Sequence, residues 1–131
     1  MKKHSFLLLS IITLCAYNAE GQIYTAKNKN ELDNQLRNCV AIVEFYSPTC
    51  RHCVNFNNSG IFEAIAKENP EVHCIRVSYS DRDAAQIFGE YRVNASPTFC
   101  FFNNGQERSD LRQAGGLSKT TIQDKIKLAR K

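Results

Sequence analysis

The chain reads as an α/β domain with a central mixed β-sheet flanked by helices. Three observations predict this. Apolar runs of strand length, rich in β-branched and aromatic residues, alternate with segments of helical period. One run, Val40 to Tyr46, is broken only by Glu44 and so reads as a buried central strand. Asn103-Asn104-Gly105 is a hairpin signal late in the chain, which adds an antiparallel edge to strands otherwise joined through helices.

The 131 residues suit one domain with enough length for a real core. Hydrophobic residues at 43% and charged residues at 23% are those of an ordinary globular chain. Residues 1–21 have the layout of a secretory signal peptide: Lys2-Lys3-His4, then apolar Phe6 to Ala16, then Ala19-Glu20-Gly21 before a cut at Gln22. The apolar part is too short to span a bilayer comfortably, so no membrane attachment is expected after its removal. Losing Lys2, Lys3 and Glu20 lowers the formal charge from +4 to +3. That charge is weak and dispersed, which excludes nucleic acid as an expected partner, and the basic C-terminal helix reads as a solvated face. Cys15 would leave with the leader. The remaining Cys39, Cys50, Cys53, Cys74 and Cys100 are odd in number, which argues against a full disulfide framework. Cys74 and Cys100 lie in apolar runs as small hydrophobes. One active pair plus three buried or semi-buried thiols is the simplest account, with Cys39, at a strand start, the one placed to be exposed.

Ile23-Tyr24-Thr25 is a short strand. Asn28 to Asn38 carries Leu32 and Leu36 four apart behind acidic Glu31 and Asp33, which predicts a helix. After the central strand, a helix is expected from the cysteines to about Glu68, with Val54, Ile61, Ile65 and Ala66 on one face. Asn57-Asn58-Ser59-Gly60 are weak helix formers and predict a kink or a distorted turn there. Asn69-Pro70 ends it. Val72 to Tyr79 is a strand, and Asp81 to Tyr91 a helix with Ala84, Ile87, Phe88 and Tyr91 inward. Val93 to Thr98 is a loop leading into the strand Phe99–Phe102. Glu107–Ala114 is expected to return as one strand, and Gly115-Gly116 breaks it. Ser118 caps a last helix through Ala129.

The chemistry centres on Ser47-Pro48-Thr49-Cys50-Arg51-His52-Cys53. Proline stops the strand, and Cys50 falls where a helix begins. Unpaired N–H groups and the helix dipole there favour an anion, and the thiolate is the reactive form of cysteine. Two other readings compete with a redox pair. An inert bridge closes too short a loop to constrain the unfolded chain much. A structural zinc site needs four ligands, and no second tightly spaced Cys/His pair exists. Glu44 is costly to ionise inside a buried strand, so its pKa should rise, which suits a proton acceptor or donor for Cys53. The alternative is that it reaches solvent or pairs with Arg76.

With these motifs in order, the chain resembles the thioredoxin superfamily from about Gln22 to Ala129, most closely a single catalytic domain of the protein disulfide isomerase type. Val-Glu-Phe-Tyr-Ser-Pro-Thr-Cys-Arg-His-Cys is similar to the Glu-Phe-Tyr-Ala-Pro-Trp-Cys-Gly-His-Cys of those domains. Tyr91-x-Val93, Ser96-Pro97-Thr98, Phe101-Phe102-Asn103-Asn104-Gly105 and Gly115-Gly116-Leu117-Ser118 agree in order and distance.

The resemblance implies a thioredoxin fold in which Cys50 is the nucleophile and Cys53 the resolving thiol. It implies that Pro97 is a cis-proline facing the pair, leaving the backbone of Ser96 open to an extended substrate segment. Arg76 falls near the family's strand lysine and should hold Glu44 ionised more firmly, since arginine stays protonated. Arg51 and His52, beside the thiolate, should lower its pKa and make the disulfide more oxidising.

Three departures stand out. Thr49 replaces the tryptophan, the helix proline after the second cysteine is absent, and no Lys-Asp-Glu-Leu type signal ends the chain. Asn57 and Asn94 head Asn-x-Ser triplets, read as chance matches. The expectation is a thiol–disulfide oxidoreductase or isomerase of the secretory pathway, in the endoplasmic reticulum lumen or secreted. It would act on cysteine-containing client proteins with glutathione or an unidentified redox partner, and without metal or organic cofactor. The rivals are a client-binding module whose redox activity is secondary, and an extracellular reducing thioredoxin.

Overall fold

The computed structural model describes residues 15, 17, 18 and 20–131. The basic and most of the apolar part of the expected leader lie outside the described residues. Among the described residues six strands form one sheet: β1 (Tyr24–Thr25), β2 (Val40–Tyr46), β3 (Val72–Ser78), β4 (Thr98–Asn103), β5 (Gln106–Glu107) and β6 (Gln113–Ala114). The strand order is β1-β3-β2-β4-β5, with β6 also on β4. β1, β3 and β2 run parallel, while β4 is antiparallel to β2 and carries the hairpin to β5. Asn104 and Gly105 both have positive φ, 50° and 80°, as a tight primed turn requires.

Strand alternation sends successive β2 side chains into two cores. Ala41, Val43 and Phe45 meet Leu32 and Leu36 of α1 (Lys29–Leu36) and Ala84, Ile87 and Phe88 of α4 (Ala84–Glu90). Ile42 joins Cys74, Phe99 and Phe101 beneath the second layer. That layer holds α2 (Arg51–Asn58), α3 (Ile61–Glu68) and α5 (Lys119–Ala129). Ser118 caps α5 with its side chain, as the sequence predicts, and Asn28 does the same for α1.

Four expectations need correction. The helix after the cysteines is two helices, because Gly60 takes the left-handed φ of 75° and ends the α2 register. Val54 therefore points outward, and Cys53 and Phe56 are the buried residues of α2. The stretch 107–114 is not one strand: a 3-10 turn, Ser109–Leu111, puts Leu111 into the core between β5 and β6. Cys39 is buried and bonded to Cys15 rather than a third free thiol beside Cys74 and Cys100. Residues near Cys15 also dock. Asn18 is buried, donates its N–H to Pro70 O at 2.8 Å, and donates from Nδ2 to Gln22 O at 2.7 Å. Gly21 crosses Lys67 so closely that a β-carbon would lie 2.7 Å from Lys67 Cβ.

Candidate active site

The carboxyl end of β2 delivers the two cysteines. Ser47 O accepts the Cys50 N–H at 3.1 Å, which closes the turn from strand to helix. Cys50 is the N-cap of α2 and its Sγ accepts the Cys53 N–H at 3.3 Å, so the sulfur takes the place of a capping oxygen. Hydrogen bonds from Cys53, first from its thiol and then from its backbone N–H, hold the Cys50 thiol below its ordinary value of 9.0. One contact favours the protonated form: the Cys50 thiol donates to Ser96 O, at 3.4 Å. Cys53 has no exposed surface, and burial pushes its thiol up to about 11. Both sulfurs are free thiols here. Neighbouring sulfurs at a helix mouth, one partly exposed and easily ionised, one buried and reluctant, suit thiol–disulfide exchange.

Ser96–Pro97 is a cis peptide bond, and Pro97 is buried at the start of β4. The Ser96 carbonyl faces Cys50. A cleft of about 380 Å³ opens beside it, lined by Ser47, Tyr79, Phe88, Val93, Asn94, Ala95 and Ser96. Arg51 and His52 are exposed, and no side-chain contact ties either to Cys50 among the described residues. The His52 contribution is its backbone hydrogen bond, which helps lower the Cys50 thiol.

Glu44 has no exposed surface and sits on the same face of β2 as Ile42, beneath α2 and α3. Arg76 pairs with it across the parallel β2–β3 ladder, Nε donating to Oε1 at 2.9 Å. Burial outweighs that partner and pushes Glu44 from 4.5 to about 7. The pair is present and Arg76 acts to keep the carboxylate ionised, but desolvation is the larger effect. Two contributors are invisible to sequence pattern. Tyr79, 56% exposed, lines the cleft from the end of β3. Glu63 also holds Arg76, and no sequence period reaches it across the break at Gly60.

Cys15, Cys39 and His73 place one potential ligand atom each within 4.8 Å of one another. With the two sulfurs joined in a disulfide, the group does not offer a metal two thiolates.

A family model described as Thioredoxin matches residues 23–128. The chain belongs to the thioredoxin family. Protein disulfide isomerase-like 1-4 of Arabidopsis thaliana is 30% identical over 103 residues, which is 79% of this chain but 16% of that protein. This thioredoxin-family chain thus spans about a sixth of that relative's length. The thioredoxin of Mycoplasmoides gallisepticum is 29% identical over 101 residues, 76% of this chain and 95% of that one. Among solved structures, Fasciola hepatica thioredoxin superposes with a TM-score of 0.69 at 26% identity, covering 82% of this chain and 99% of that one. A mutant thioredoxin from Halobacterium salinarum reaches 0.74 at 18% identity over 86% and 95%, a likeness of fold. Family and geometry together support a thiol–disulfide oxidoreductase of the thioredoxin superfamily.

Proposed function

We propose that the domain exchanges disulfides with cysteine-containing client proteins of the secretory pathway, in the manner of a protein disulfide isomerase domain. The observation that carries this is the asymmetry of the pair: Cys50 caps a helix with its sulfur while Cys53 is wholly buried behind it. In the oxidising direction a client thiolate attacks Cys50 of the Cys50–Cys53 disulfide. A mixed disulfide forms and Cys53 leaves as thiolate, which takes up a proton. A second client thiolate then displaces Cys50, and the client gains the disulfide that the enzyme loses. In the reducing direction Cys50 attacks, and Cys53 displaces the client. Glutathione or a protein partner restores the starting state. Glu44, beneath α2, is the proton partner of Cys53. The Ser96 backbone holds the client chain beside Cys50, and Pro97 fixes that loop. Arg51 is an exposed cation that attracts a client thiolate, and His52 stands exposed beside it.

Cys53→Ser should accumulate a client disulfide-linked to Cys50, visible on a non-reducing gel, whereas Cys50→Ser should accumulate none and lose turnover. Equal trapping by both variants would end the assignment of roles. A second reading, an extracellular reducing thioredoxin, is favoured by the near-complete coverage of a one-domain bacterial thioredoxin. A reduction potential near about −270 mV would select it, and one near about −180 mV the isomerase reading. If the double variant with Ser at 50 and 53 still supported client folding fully, the domain would be a binding module instead.

A further inference from the structure

On the sheet face beneath α2 and α3, one guanidinium serves two carboxylates. Arg76 Nε donates to Glu44 Oε1 at 2.9 Å, and Arg76 Nη1 donates to Glu63 Oε1 at 3.0 Å. The Phe62 ring lies against the same guanidinium, 5.2 Å from its centroid to Cζ, and keeps it from swinging away. Side-chain exposure rises along the row, from 0% at Glu44 through 15% at Arg76 to 45% at Glu63. The three groups form a polar line from the buried strand to solvent. Each also has one buried atom without a protein partner among the described residues: Glu44 Oε2, Arg76 Nη2 and Glu63 Oε2. Buried polar atoms of this kind are ordinarily completed by water.

We propose that Glu63 is a positioning residue for the exchange reaction: by dividing Arg76 with Glu44 it leaves the buried carboxylate free to gain and lose a proton, and it joins that carboxylate to solvent. The proposal rests on reading Glu44 as the proton partner of Cys53.

Charge balance adds to the larger effect of burial. One arginine facing one buried carboxylate makes a neutral pair, which holds the acid ionised. One arginine facing two carboxylates leaves an excess negative charge. The buried member relieves it by taking a proton, because the half-exposed member keeps its water. Among the described residues the surroundings add no other charge. From β3 come Arg76 and Cys74, whose thiol burial pushes up. From α2 comes Cys53, from α3 Glu63, Phe62 and Ile65, from β4 Phe99, paired with Glu44, and from α5 Ile122 and Ile126. Arg76 lowers and Glu63 raises the Glu44 carboxyl, in line with this division.

In the resolving step Cys53 gives its proton to Glu44 and its thiolate attacks Cys50 Sγ of the mixed disulfide. The Cys50–Cys53 bond forms, and the Cys50–client bond breaks. The client sulfur leaves with the electron pair, reduced, and takes a proton from solvent. Glu44 then returns its proton to bulk through water that completes Glu44 Oε2 and Glu63 Oε2, while Arg76 stays protonated and holds the line in place.

The test is release of a cysteine peptide from a mixed disulfide at Cys50, followed against pH in the full chain. The Glu44 carboxyl carbon is followed by NMR in parallel. Glu63→Gln should move both the acid limb of the release profile and the Glu44 transition down by about one pH unit, the scale of a neighbouring-charge effect. Glu63→Asp, which keeps the charge, should stay near the parent. Coincident profiles for Glu63→Gln and the parent, with Glu44→Gln flattening the limb, would overturn the role of Glu63 and leave that of Glu44 standing. An unchanged limb in Glu44→Gln would remove the reading beneath the proposal and the proposal with it. The carboxyl resonance reports Glu44 directly, so a loss of stability in a variant does not mimic the result.

Discussion

At Glu44 a single buried side chain ties the proposed proton exchange to stability. Its folded value of about 7 lies above the ordinary 4.5, so folding binds a proton between those pH values. The contribution is fully present below pH 4.5 and is lost as pH rises through 7. A tenfold difference in proton affinity between the folded and unfolded chain is worth about 1.4 kcal/mol, so the loss is about 3 kcal/mol at most. Glu44→Gln carries no such dependence. Urea melts at pH 4.5 and pH 8 should show the variant gaining up to about 3 kcal/mol on the parent at the higher pH. A pH-independent difference would contradict the buried titration. Glu44 is legible in the sequence because one acid interrupts a seven-residue apolar run. Glu63 is not, because its partner stands on another element and sequence period stops at element ends. The setting of Arg51 and His52 is hidden for a similar reason: their residue types are visible in the sequence, but their exposure is not.

Among elements, the break between α2 and α3 decides which residues face the site. Asn57 to Gly60 is legible as a weak helical stretch, but a kink keeps the register and a left-handed glycine resets it. Carrying one period through the break puts Val54 inside, where Phe56 packs against Phe99 at 4.8 Å between ring centroids. Gly60→Ala meets no atom within 4 Å, so its cost should be conformational alone, about 1 kcal/mol in a denaturant melt. A neutral result would mean that the φ of 75° is not required. At α5 the Ser118 side chain accepts the Thr121 N–H at 3.2 Å. Ser118→Ala should therefore lose about 1 kcal/mol by the same assay, while Ser118→Asp should retain it. The interruption of the 107–114 stretch is hidden because Leu111 looks like any strand apolar residue. Its burial, and the bond from Lys125 Nζ to its carbonyl at 3.0 Å, belong to tertiary packing.

The whole molecule has a chemical end and a tethered end, joined by β2. Cys50 follows the carboxyl end of that strand, and Cys39, bonded to Cys15, precedes its amino end. The two-sided sheet is legible from apolar patterning, since each β2 position falls in the core its parity assigns. The tether is not, because a leader is read as something removed. The two forms differ measurably. With the Cys50–Cys53 pair oxidised, the full chain should yield two thiols under denaturing alkylation, Cys74 and Cys100, whereas a chain beginning at Gln22 should yield those and Cys39. Two thiols in the shorter chain would mean that Cys39 has found another partner.

The docking of Asn18 and Gly21 bears on the order of events during synthesis. The bond a signal peptidase would cut, between Gly21 and Gln22, lies against Lys67 on the finished domain, where a protease needs an extended, open strand. If a peptidase cuts there, the cut is expected before Gly21 packs against Lys67, while the chain is still emerging.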